Sequence, residues 1–229
     1  MSFARALLKF SGAATVVLPW LSIVSSMTVN RWFNPLKGAF SDLGSAAATD
    51  PWIFNCGLVV SALFVAAFSL ALMRMSRSKL ETAGGAFLFV AALFLAMIGI
   101  FHEGTYPHDF VSYWFFVQAD LAVGVIGAGR VLARDRGKGF FLVAWSFAWP
   151  LIATSVTWPS TATLEAFGIA SLDVAVLVLI LSRKNEFTVE YNWFRRLGKN
   201  CEARGSALTL VVMWKQGSID HCSSLLDLS

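Results

Sequence analysis

Six stretches of about twenty mostly apolar residues, each long enough to cross a bilayer, account for most of the chain. They run over Leu7–Thr28, Trp52–Met73, Thr82–Phe101, Phe110–Ala133, Phe140–Trp158 and Thr163–Leu181. At 1.5 Å per helical residue, about 20 residues cover the roughly 30 Å of hydrocarbon in a membrane. The chain has 229 residues, 57% of them hydrophobic and 14% charged. A soluble domain carries roughly a quarter charged residues, and no soluble core of this size hides six such segments. None of the six alternates with a strand's period of two; Ala, Leu, Phe and Gly recur at helical spacing, which argues against a membrane barrel. The expected fold is therefore all-α, a polytopic membrane bundle of six transmembrane helices. The same composition excludes a disordered chain, a soluble basic module with a nucleic-acid partner, and a disulfide-stapled secreted domain. Cys56, Cys201 and Cys222 show no CxxC or His-linked spacing and read as free thiols.

Charge placement orients the bundle. Basic residues beside spans stay on the cytoplasmic side. Arg5, Lys9, Arg74, Arg77, Lys79, Arg130, Arg134, Arg136, Lys138, Arg183 and Lys184 fall on one side, and only Arg31 and Lys37 on the other. Both termini are thus expected in the cytoplasm of a cell-membrane protein, with Val29–Pro51, His102–Asp109 and Pro159–Ala162 facing out. The first span, although preceded by Arg5 and Lys9, is long and lacks an A-x-A cleavage site, so it reads as a retained anchor. Residues 1–182 form the six-helix domain and 183–229 a cytoplasmic tail. In that tail Phe187, Tyr191, Phe194 and Leu197 share a helical face, which fits either an interfacial amphipathic helix or a solvated continuation of the last span.

Polar residues concentrate in two outward segments. The first holds Ser41-Asp42-Leu43-Gly44 and then Asp50-Pro51, the latter resembling an N-cap followed by proline at the first helical position. Ser41-Asp42 itself suits the start of a short re-entrant or interfacial helix. The second segment holds His102, Glu103, His108 and Asp109. Imidazole and carboxylate are ligands that zinc accepts, which makes His102, His108 and Asp42 metal candidates, but their spacing follows no zinc motif. Capping of the fourth helix by His108 and Asp109 is the structural alternative. Only eight residues separate the third and fourth spans, so these helices must be antiparallel neighbours. The long Val29–Pro51 segment alone has the reach to fold over that turn, and Ser41 or Asp42 is expected to hydrogen-bond His108.

Two carboxylates, Asp120 and Asp173, lie within spans, where each costs about 2.5–3.5 kcal/mol at a helix centre. Both should face the bundle interior, and at least one should be protonated or hydrogen-bonded to Ser, Thr, Gln or Trp partners such as Gln118, Ser146, Thr154 or Ser171. They are candidates for a proton- or ligand-binding site; the structural alternative is interhelical bonding, at about 0.6–2 kcal/mol each. Gly84, Gly85, Gly124, Gly127 and Gly129 accompany no phosphate-loop lysine or strand and read as packing glycines.

The NPLKGAFSDLGS loop leading into PWIFNCGLVVSALF, and the GIFHEGTYPHDFVSYWFF hairpin, resemble the domain of unknown function family 998. The elements carrying the likeness are Ser41-Asp42-Leu43-Gly44, Phe54-Asn55-x-Gly57, and Gly99 followed by His108; the match covers roughly Leu7 to Ser182. The resemblance implies a six-helix bundle of bacteria and archaea with no established activity, hence no catalytic residue to carry over. A more distant likeness to seven-span metal-dependent lipid hydrolases founders on the absent H-x3-H in the last span.

Three functions follow as expectations. The first is a non-enzymatic accessory protein that binds membrane lipids or another membrane subunit and needs no cofactor. The second is a proton- or cation-coupled small-solute transporter using Asp120 and Asp173. The third is a metal-dependent lipid hydrolase with its zinc at His102, His108 and Asp42.

Overall fold

A computed structural model describes residues 3–133 and 135–202, with side chains from residue 6 to residue 181 except residue 134. Every regular element is helical. The order is α1 (Phe3–Val29), a 3-10 turn (Phe40–Gly44), α2 (Trp52–Arg74), α3 (Lys79–Ile100), α4 (His108–Leu132), α5 (Arg136–Ser155) and α6 (Thr161–Glu202). The expected spans coincide with these helices to within a few residues at most ends. Five segments are long and apolar enough to cross a membrane: Ala6–Val29, Trp52–Arg74, Lys79–Ile100, His108–Leu132 and Thr161–Leu181. Helix α5 falls outside that group. It opens on Arg136 and Lys138 and carries Trp145, Ser146, Trp149 and Pro150, which dilute its apolar character. The proposed amphipathic face at 187–197 and the tail beyond it lie outside the residues whose side chains are described.

The polypeptide punctuates these helices with ordinary chemistry. Ser78 caps α3, its hydroxyl accepting from the Glu81 amide at 3.1 Å, in a Ser-x-x-Glu box. Ser160 and Thr163 bond reciprocally at the start of α6. The turn between α3 and α4 needs Gly104 at φ 90°, a region glycine enters without steric cost. At α2 the expectation is off by one residue. Pro51 occupies the N-cap, while Asp50 sits at φ 51° and accepts from the Trp52 indole at 3.2 Å instead of capping the helix.

Helices α1 to α5 pack each against the next in chain order. The span of α6 returns to α1, where Gly12 meets Ile180, and lies against α5, where the Trp145 indole donates to the Ser171 carbonyl at 2.9 Å. Large apolar side chains cover the outside, Phe147 at 75% exposure and Leu132 at 72% among them. Such a surface suits hydrocarbon, because lipid solvates it without cost. The glycines pack as expected: a Cβ on Gly84 would meet the Ile126 amide at 2.9 Å and the Ala122 carbonyl at 3.0 Å, which is how α3 and α4 come so close.

Candidate functional site

The facing helices line a partly open cavity of about 130 Å³. Its lining comes from α1, α2, α3, α4, the α6 span and the 3-10 turn, and α5 contributes none of it. On α6 the lining residues Glu165, Ile169, Leu172, Val176 and Leu179 follow steps of three and four, one face of a helix, with Asp173 and Ala175 beside it. Ile23, Leu58, Leu95 and Val123 continue the wall.

The chain between α1 and α2 roofs one end. Asn30, 1% exposed, anchors that segment: its amide donates to the Ser26 and Thr49 carbonyls at 3.0 and 2.9 Å, and its oxygen accepts from the Thr49 amide at 2.7 Å and the Trp32 indole at 3.0 Å. On the far side of the segment Asn55 of α2 donates to the Gly44 carbonyl at 2.9 Å, and the Ala162 amide donates to the Gly38 carbonyl at 2.9 Å. These ties bury Leu43 completely and set Phe40 and Ser41 into the cavity. Glu165 accepts from the Phe40 amide at 2.6 Å, joining the roof to α6.

Four polar side chains line the roofed end: Ser41, His108, Ser112 and Glu165. His108 is 4% exposed. Its Nδ1 lies 2.7 Å from the Phe101 carbonyl, and its Nε2 lies 3.1 Å from the Glu103 carboxylate and 3.5 Å from the Ser112 hydroxyl. The long connection is tied to the end of α1, the start of α2 and the start of α6, and the expected bond from Ser41 or Asp42 to His108 is not made. Both imidazole nitrogens are occupied within their own hairpin. Asp42 reaches back instead to the Ala39 amide at 2.8 Å, closing the 3-10 turn, the short-helix alternative foreseen for this motif. His102 contacts the Glu103 carbonyl through Nδ1 at 2.9 Å, and Asp109 is exposed. Neither His108 nor Asp109 caps α4, whose N-cap is Pro107 without a side-chain bond. Among the described residues no three His, Cys, Asp or Glu side chains converge as metal ligands. His102, His108 and Asp42 each have separate local partners in this structure.

Asp120 and Asp173 are also divided. Asp120 accepts from the Trp149 indole of α5 at 2.7 Å, and Asp173 from the Trp20 indole of α1 at 2.8 Å. Asp173 lines the cavity and Asp120 does not. The hydroxyl partners expected for them turn onto their own helices: Ser146 donates to the Val143 carbonyl, and Thr154 to those of Pro150 and Leu151. Ser and Thr commonly bond back to the preceding turn of a helix, so the long-reaching indoles take their place.

Three features escaped the sequence reading. Asn30 looked like a loop residue beside an interfacial Trp. Glu165 stood one turn into an apolar span, and its isolation there was the available signal. Glu81 and Arg130, 4% and 2% exposed, form a buried polar locus where α3 begins and α4 ends, with Asp135 3.9 Å from the Arg130 guanidinium; the Ser78-x-x-Glu81 box was the clue to it.

Apolar helices, an apolar exterior and a roofed internal cavity define a helical membrane protein. The model of the family described as protein of unknown function (DUF998) matches residues 13–182, and the chain belongs to that family. No curated protein and no solved structure matches it.

Proposed function

We propose that this protein is a six-span cell-membrane protein with both termini cytoplasmic, and that it works without enzymatic activity as an accessory subunit holding the apolar chain of a membrane lipid. The observation carrying this reading is the cavity, whose walls are mostly apolar and whose roofed end holds Ser41, His108, Ser112 and Glu165, with Asp173 farther along the wall. Lipid is abundant where such a cavity would sit, and because its tails already lie in hydrocarbon, binding there rests on van der Waals packing along the wall and on polar contacts at the headgroup. Leu95→Trp and Ile169→Trp should fill the space. In native mass spectrometry of protein released from mild detergent, wild type is expected to carry one lipid and each variant severalfold less, with unchanged helix content. A wild-type chain carrying no lipid would overturn the reading.

Orientation has its own test. A reporter fused after Leu181 should be active in the cytoplasm, and a tag inserted at Thr105 should be reached by an impermeant reagent from outside; the reverse pattern would refute it. The five strongly apolar helices alone would place the ends of the bundle on opposite sides, so α5 decides the count. A coupled-carrier reading using Asp120 and Asp173 draws support only from Asp173, which lines the cavity. Proton-linked solute uptake by proteoliposomes, abolished in Asp173→Asn, would establish it.

A further inference from the structure

The roofed end of the cavity holds two oxygens without hydrogen-bond partners among the described residues. Ser41 is 8% exposed and lines the cavity, and its hydroxyl makes no hydrogen bond among the described residues. Glu165 spends one carboxylate oxygen, Oε2, on the Phe40 amide; its other oxygen has no hydrogen-bond partner among the described residues. The carboxylates of Asp42 and Glu103 lie within electrostatic reach of Glu165. Asp42 is engaged with Ala39, and Glu103 with His108. No Lys or Arg among the described residues forms an ion pair with any of the three. Lys37 and Arg31, the basic residues of the roofing segment, are exposed. Glu165 in the lining, with Asp42 and Glu103 near it, thus sets three carboxylates against one imidazole at this end, where Ser41 and Ser112 supply the other polar groups.

A half-buried carboxylate with an unspent oxygen is costly unless a donor or cation meets it or it takes up a proton. An unbonded hydroxyl beside it can accept or donate. We infer that the cavity binds a single-chain amphiphile with a protonated primary amine headgroup, the ammonium received by Glu165 and Ser41 and the alkyl chain lying along Leu58, Leu95, Ile169 and Val176. An ammonium offers three donors and no acceptor, the complement of these two oxygens. A carboxylate or phosphate headgroup would meet like charge from Glu165, Glu103 and Asp42. This inference rests on the lipid-binding reading and adds the chemistry of the headgroup.

The test uses full-length protein in a non-ionic maltoside and three probes of equal chain length, dodecylamine, dodecanol and dodecanoate, with affinity read from tryptophan fluorescence at neutral pH. Dodecylamine is expected to bind about tenfold or more tighter than dodecanol, the scale of one charge-assisted hydrogen bond, and dodecanoate weakest. Glu165→Gln keeps an oxygen for the Phe40 amide, so the roof stays tied, and the variant should bring amine and alcohol to equal affinity. Ser41→Ala should narrow the gap without touching that tie. Equal binding of amine and alcohol by wild type, both blocked in Leu95→Trp, would overturn the amine assignment while leaving lipid binding in place. Preference for dodecanoate would overturn it too. Binding of none of the three probes would overturn both readings together.

Discussion

Gly139→Leu is expected to cost the bundle about 3 kcal/mol or more, at the upper end of what overpacking does. A Cβ at Gly139 would stand 2.6 Å from the Val131 amide and 2.8 Å from the Gly127 carbonyl. From the facing helix, a Cβ at Gly127 would stand 2.9 Å from the Val143 amide and 3.0 Å from the Gly139 carbonyl. These obstacles are backbone atoms, so no rotamer change relieves them, and α5 must move off α4. The Trp149–Asp120 bond would lengthen with it. Gly137→Ala is the matched control, because nothing lies within 4 Å of its Cβ position; it should raise stability by roughly 0.5 kcal/mol through loss of unfolded-state freedom. Thermal unfolding of both variants in the same detergent checks the pair, and a Gly139→Leu variant as stable as wild type would refute the close α4–α5 contact.

Asn30→Leu should lower stability by about 2 kcal/mol, since leaving buried polar groups unmatched costs about 1–3 kcal/mol apiece and the half-exposed Thr49 groups recover some of that from water. The change removes both donors and the shared acceptor in one step, whereas Trp32→Phe, which deletes a single bond at the edge, should cost well under half as much. Limited proteolysis gives a second readout. Cleavage after Lys37 should accelerate in Asn30→Leu as the roofing segment loosens, and an unchanged cleavage rate would show that Asn30 does not hold it.

Helix positions were readable from the sequence because the signal is repeated over about twenty residues each time, and hydrocarbon forces the backbone to satisfy itself within the helix. The glycines at the α3–α4 and α4–α5 contacts were readable for a related reason: a small residue in a spanning helix has few other uses. The partners of single polar side chains were not. Trp20 and Asp173 are 153 residues apart, and nothing local distinguishes that indole from the others in the chain. His108 lines the same cavity as Ser41, yet its bonds stay inside its own hairpin, with Phe101, Glu103 and Ser112, which lie close along the chain. Asn30 was overlooked because a residue just past a helix end carries no periodic signature; its four bonds arise only once the segment has folded back upon it.

The roof over the cavity has a kinetic consequence. Phe40 and Ser41 cover the polar end while Glu165, Asn55, Asn30 and the Gly38–Ala162 backbone pair hold them down. A molecule leaving toward water must wait until these bonds open together, an event of local unfolding with its own free energy. A molecule leaving sideways must instead push neighbouring helices apart against their packing. Residence time in the cavity is then governed by whichever opening is faster, and affinity and exchange rate become separately adjustable properties: substitutions along the wall change the first, and substitutions at Asn30 or Asn55, which touch no guest, change the second.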